Sequence, residues 1–133
     1  MTEAADEKPE FLMQPVLSVS DVEASVQYYC SKLGFKTSWR HGDDKLVIAA
    51  VERKGIELIL ENGTVVPSSQ RPVVIAMSMY TLGTLGDLHE ELTKRGALVR
   101  KAPFQVIWQQ GVHQMEVEDL DGNLLLFWGE LAK

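Results

Sequence analysis

Apolar and polar positions along this chain change period twice, in the same order each time. Val22, Val26, Tyr29, Cys30 and Leu33 recur at i, i+4, i+7, i+8 and i+11, which is one face of a helix. Ahead of them Ser20-Asp21-Val22-Glu23 reads as a capping box, with the Ser20 hydroxyl aimed at the third helical amide. Gly34 stands where the helix end needs left-handed backbone. Phe35, Thr37 and Trp39 then alternate with Lys36, Ser38 and Arg40, the signature of a half-buried strand. A turn at His41-Gly42-Asp43-Asp44, a strand over 46–51, a turn at Arg53-Lys54-Gly55 and an apolar strand over 56–60 interrupted by Glu57 complete the run. Residues 11–18, rich in strand formers, stand in front. The order is strand, helix, three strands.

A loop over 61–72 with Gly63, Pro67 and Pro72 separates this run from a second. An apolar strand over 73–79 leads to a helix over 84–94, with Leu85, Leu88 and Leu92 along one face. Gly96 ends the helix, and a strand over 97–101, an irregular stretch over 103–111 and an alternating strand over 112–118 follow. Asp119-Leu120-Asp121-Gly122-Asn123 is a strong turn signal before a closing strand over 124–128. Leu33-Gly34-Phe35 and Arg95-Gly96-Ala97 hold equivalent places, so the chain repeats a βαβββ pattern more than a sequence.

The chain has 133 residues, enough for one domain, and 45% of them are hydrophobic, enough for a real core. A formal net charge of −6 argues against a sequence-independent nucleic-acid surface. The single cysteine, Cys30, has no internal disulfide partner and points to a reducing, cytoplasmic setting. Residues 1–10 are acidic and polar and read as a flexible tail, not a signal peptide or an anchor. No apolar run approaches the roughly 20 residues of a membrane span.

Four stretches together resemble the vicinal oxygen chelate superfamily, which includes glyoxalase I, bleomycin resistance proteins and extradiol dioxygenases. Pro15-Val16-Leu17-Ser18-Val19-Ser20-Asp21-Val22 is similar to its first strand and helix start. Tyr28-Tyr29-Cys30-Ser31-Lys32-Leu33-Gly34-Phe35 resembles its "FY…LGF" signature. Leu88-His89-Glu90-Glu91-Leu92 with Arg95-Gly96-Ala97 resembles its second helix. The 119–123 turn is similar to "DPDGN", with Leu120 in place of proline. The resemblance implies an α+β fold: one domain over 11–133, with modules at about 11–61 and 73–130 wrapped into an open, incomplete barrel. It is nearest the bleomycin-resistance type, which implies a homodimer whose pockets draw on both chains.

Metal-dependent members carry ligands near the start of the first strand and on the fourth strand of each module. The resemblance maps those places onto Gln14, Glu57, Val74 and Leu126. Gln14 and Glu57 are possible ligands; Val74 and Leu126 are not, and a catalytic metal generally needs three protein ligands. His41, His89 and His113 form no H-x-x-x-H spacing. The expectation is therefore a site without metal or other cofactor.

Several residues are candidates for ligand contact. Glu57 sits in a strand so apolar that its carboxylate needs a partner or water. Gln14 offers a donor and an acceptor. His113 shares the parity of Met115 and Val117; taken alone that is a structural histidine, but the resemblance places a ligand-facing basic residue here. Trp108 falls in the irregular stretch where bleomycin-binding members carry a stacking aromatic, and Trp39 is a second aromatic candidate. Cys30 reads as core, and no nucleophile–base arrangement emerges. The leading expectation is a metal-free protein that sequesters a small planar ligand, with Trp108, His113 and Glu57 around one cavity. The alternatives are a metal-dependent lyase, isomerase or dioxygenase of the same superfamily using Gln14, Glu57 and His113, and a sensor or accessory subunit. Neither a nucleic acid nor a membrane is expected as partner.

Overall fold

The structure is a computed structural model that describes residues 11–62, 72–79 and 83–133. The expected tail and most of the expected inter-module loop lie outside the described residues. The first copy runs β1 (Val16–Ser18), α1 (Val22–Leu33), β2 (Lys36–His41), β3 (Ile48–Arg53) and β4 (Ile56–Glu61). The second runs β5 (Val74–Ser78), α2 (Leu85–Arg95), β6 (Leu98–Gln105), β7 (His113–Glu118) and β8 (Leu124–Gly129). Each makes one four-stranded sheet: β1-β4-β3-β2, sheet A, and β5-β8-β7-β6, sheet B. The first strand of each pairs parallel with the last, and the remaining pairs are antiparallel. The fold is α+β, and both sheets are open.

Alternation decides which face of each sheet meets the helices. Leu17, Val51, Leu58 and Leu60 of sheet A, and Met115, Val117 and Leu125 of sheet B, share one core with Val22, Val26, Tyr29, Leu85, Leu88 and Leu92 of the helices. Burying side chains of this kind is worth roughly 1.5–3 kcal/mol each. The opposite faces of the sheets lack helices and are left for function.

Several expectations change at this level. The helix cap is Asp21, one residue later than expected: its carboxylate accepts from the Ala24 amide at 3.1 Å. The Ser20 amide instead donates to Asp121 of the second copy at 3.0 Å. Thr84 caps α2 by accepting from Asp87, and Gly34 and Gly96 end the helices at φ 75° and 84°. β1 is only three residues long, and residues 11–15 are not strand. β2 is exposed throughout instead of half-buried, because it is an edge strand; the apolar residue of that stretch that enters the core is Phe35, just before it. β6 extends to Gln105, so the irregular stretch begins later than expected.

Buried polar contacts clamp the copies together. The Tyr29 hydroxyl donates to the Asp119 carboxylate at 2.9 Å, and the Tyr28 hydroxyl to the Glu118 carbonyl at 2.6 Å. Asp119 also accepts from the amides of Asp121 and Asn123 and from the Asn123 side chain. Burial, reinforced by Asp119, holds the Tyr29 hydroxyl well above its ordinary pKa. On the far side, the Arg53 guanidinium grips both oxygens of Glu91 at 2.8 and 2.9 Å and caps the Leu33 carbonyl at 2.7 Å. A side chain at Gly34 would collide with it. The same guanidinium lowers the Glu91 pKa.

Candidate functional site

Strand pairing assigns the helix-free faces. On sheet A, Trp39 stands opposite Ala50, and Ala50 opposite Ile59, while Gln14 precedes the β1 residues that run alongside β4. The Gln14 amide donates to Glu57 at 2.7 Å, which answers the question of what accompanies that carboxylate. Between the polar pair and Trp39 lies a small apolar patch of Ile48, Ala50 and Ile59, flanked by Val16 and Val47. Trp39 reaches this face through a bulge: Thr37 pairs with Val51, but Trp39 pairs with Ala50. Because Val51 and Ala50 point to opposite sides, the extra residue turns Trp39 away from the core face that Thr37 occupies.

On sheet B the same face carries Val74 and Ala76 from β5, Leu124, Leu126 and Trp128 from β8, and Gln114, Glu116 and Glu118 from β7. The Trp128 indole donates to Gln114 at 2.7 Å, and Gln114 in turn donates to Glu116 at 3.0 Å, so the ring plane is fixed by its strand neighbour. Trp108 packs edge-to-face on Trp128, with centroids 5.4 Å apart and planes at 75°. Beside the two rings lies a cavity of about 300 Å³, lined also by Ser78, Met79, Gln109 and Gly129. The loop that presents Trp108 is built around one side chain. The Gln105 carboxamide donates to the carbonyls of Val106, Gln109 and Val112 and accepts from the Gly111 amide. Four backbone groups of an otherwise irregular turn are thereby held.

The family model for the Glyoxalase/Bleomycin resistance protein/Dioxygenase superfamily matches residues 12–127. The chain belongs to this superfamily. Solved members agree on the fold. TioX from Micromonospora sp. ML1 superposes with a TM-score of 0.70 at 20% identity, over 90% of this chain and 98% of that one. A glyoxalase/bleomycin resistance protein/dioxygenase from Nocardioides gives 0.70 at 24% identity, over 94% and 86%. One from Alicyclobacillus acidocaldarius gives 0.72 at 16%, over 92% and 93%. No curated protein matches the sequence.

The superfamily's metal positions do not make a donor set here. Gln14 and Glu57 meet in sheet A through one hydrogen bond. In sheet B, Val74 pairs with Leu124, and Leu126 lies one pleat further, opposite Ala76. Val74, Leu124 and Leu126 are all aliphatic and offer no donor atom. Among the described residues, no three His, Cys, Asp or Glu side chains gather closely enough to hold a metal ion.

The five candidate residues divide between the sheets. Gln14, Glu57 and Trp39 belong to the face of sheet A; Trp108 flanks sheet B. His113 has the parity of Met115 and Val117, which pack in the core, and so takes the opposite side of its strand from the face that carries Trp128 and Leu126. The expected grouping of Trp108, His113 and Glu57 does not occur around this cavity, whose walls include neither of the latter two. Trp128, Gln114 and Gln105 were missed. The first two were accessible from the 119–123 turn, since a hairpin closed there sets Trp128 opposite Gln114. Gln105 carries no comparable signal, because its partners are backbone groups.

Proposed function

We propose that this superfamily member is a metal-free binding protein that sequesters a small planar ligand, in the manner of the bleomycin-resistance type. The observation that carries this reading is the pair Trp108 and Trp128, braced at a right-angled contact beside a cavity of about 300 Å³. Flat π-faces held rigidly at a concave wall favour a flat partner, and rigidity lowers the ordering cost of binding. Gln114 and Glu116 supply polar atoms for orientation.

The functional unit is a homodimer in which sheet A of one chain closes over sheet B of the other. Support comes from apolar side chains left facing water on sheet B, with Val74 64% exposed and Leu98 47% exposed, and from the open edges of both sheets. In that unit Trp39, Gln14 and Glu57 become the far wall of the pocket that Trp108 begins. The protein works in the reducing cytoplasm, where Cys30 stays a thiol.

Titrating tryptophan fluorescence with 2-naphthol and with its saturated counterpart decahydro-2-naphthol tests the reading. Saturable quenching by the planar compound alone is the expected result, and equal binding of the two overturns planarity as the criterion. Elemental analysis after dialysis tests the metal: about one transition metal per chain would replace this reading with the enzyme alternative. Sedimentation at micromolar concentration should give twice the chain mass.

A further inference from the structure

A second cavity lies where the two copies meet. Its volume is about 260 Å³, and its floor is apolar: Met77, Met79, Leu88 and Phe127 of the second copy. Met77 and Phe127 are core-facing, so the cavity enters the molecule behind the sheet face that carries Trp128. Its mouth is formed by the β3–β4 turn of the first copy, with Arg53 and Lys54, and no carboxylate lines it. Arg53 is already committed to Glu91 and to the end of α1. Lys54 lines this cavity and also a neighbouring one that holds Glu52 and Glu91, and no salt bridge or hydrogen bond to another described residue engages its ammonium group.

The backbone at this lysine is unusual. Lys54 has φ 43° and Gly55 φ 95°, a two-residue hairpin turn with both residues left-handed. Lys54 is the single non-glycine with positive φ among the described residues. Asparagine or glycine would sit there with less strain. Strain retained at the rim of a cavity points to a role for the side chain.

We infer that this cavity is a second ligand site, separate from the Trp108–Trp128 pocket, which takes compact amphiphilic carboxylates: an alkyl or aryl body on the methionine–phenylalanine floor and the anion on Lys54. The volume lies just below the roughly 300 Å³ at which sites for drug-sized ligands begin, so the occupant is fragment-sized. Methionine floors suit such ligands because the unbranched thioether repacks around different shapes. Ser78 and Met79 wall both cavities, so an occupant here touches the strand end that also bounds the tryptophan pocket.

Octanoate and 1-octanol, which share a chain and differ in charge, are the probes, followed through methionine-methyl NMR of the full chain. Octanoate is expected to shift Met77 and Met79 and to saturate, with 1-octanol at least about ten-fold weaker, the size of one charge-assisted contact. Lys54→Asn, which suits the turn and preserves the fold, should lower octanoate affinity to that of 1-octanol and leave 1-octanol unchanged, while Lys54→Arg restores octanoate. Equal affinities in the natural protein, octanoate binding that survives Lys54→Asn, no saturation at millimolar octanoate, or shifts that follow the Trp108 indole in place of Met77 would each overturn the inference.

Discussion

The two copies of the βαβββ unit fold alike and face water differently. Sheet A offers a hydrogen-bonded Gln14–Glu57 pair, a small apolar patch and Trp39; sheet B offers aliphatic side chains and two braced indoles. Their hairpins diverge too. The β3–β4 turn is two tight residues, whereas the β7–β8 turn is a five-residue loop whose Asp119 is buried against the first copy. Repetition of architecture has been kept by the core faces, where parity and volume are constrained. The helix-free faces carry no such constraint: that of the first copy holds the polar Gln14–Glu57 pair, and that of the second is aliphatic at Val74, Leu124 and Leu126.

The sharpest way to break the difference between the turns is Asp119→Ala. It removes an acceptor used by Tyr29, Asp121 and Asn123 in a site only 2% exposed. Stability should fall by on the order of 3 kcal/mol, read as a lower urea midpoint. Tyr29→Phe removes one of these bonds and should cost about 1–2 kcal/mol at neutral pH, because Asn123 still serves the carboxylate. It also changes the alkaline limb. The folded Tyr29 pKa is raised above the ordinary 10.0, so its contribution is complete below pH 10 and is lost as pH climbs through the folded value. Thermal melts above pH 10 should therefore decline less steeply in Tyr29→Phe, with Tyr28, also raised, supplying the remainder.

On the sheet faces, Trp108→Ala should weaken the planar probe roughly ten-fold while leaving the melting temperature nearly unchanged, since the residue is 57% exposed. Trp39→Ala removes a ring with no aromatic neighbour among the described residues and should weaken the probe less. Gln105→Ala leaves both indoles in place but frees the loop that carries Trp108, so a loss of a few-fold, seen chiefly as faster dissociation, is expected. A Gln105→Ala protein that binds as tightly as the parent would show that the loop's bracing is irrelevant. The smallest effect belongs to the other turn: Lys54→Asn should raise stability by a few tenths of a kcal/mol, measured in the same urea titration.

Most of the fold was legible because helix faces and caps are local. Val22, Val26, Tyr29 and Leu33 announce a buried stripe whatever lies beyond it, and Asp119 to Asn123 announce a turn. The faces were legible only in part. Parity groups His113 with Met115 and Val117 correctly, but it does not say which side of the strand is core; that required the pairing with β8. Trp39 is a different failure, because one bulge residue reverses parity without changing the alternation written in the sequence. The N-cap is Asp21, whose carboxylate accepts from the Ala24 amide, while the Ser20 amide donates to Asp121 of the other copy, a contact no local rule contains.

The bond between Tyr29 and Asp119 spans 90 positions of chain, and the Ser20–Asp121 bond spans 101. A ribosome that has delivered the whole first copy has not yet delivered the acceptor for its most deeply buried hydroxyl. Until the 119–123 loop emerges, α1 has no partner for that group and no second sheet to complete its core. Contacts this distant are slow to form, because loop closure precedes their reward. A chain ending between the copies is therefore expected to fold less stably than the finished pair, with α1 lacking part of its core.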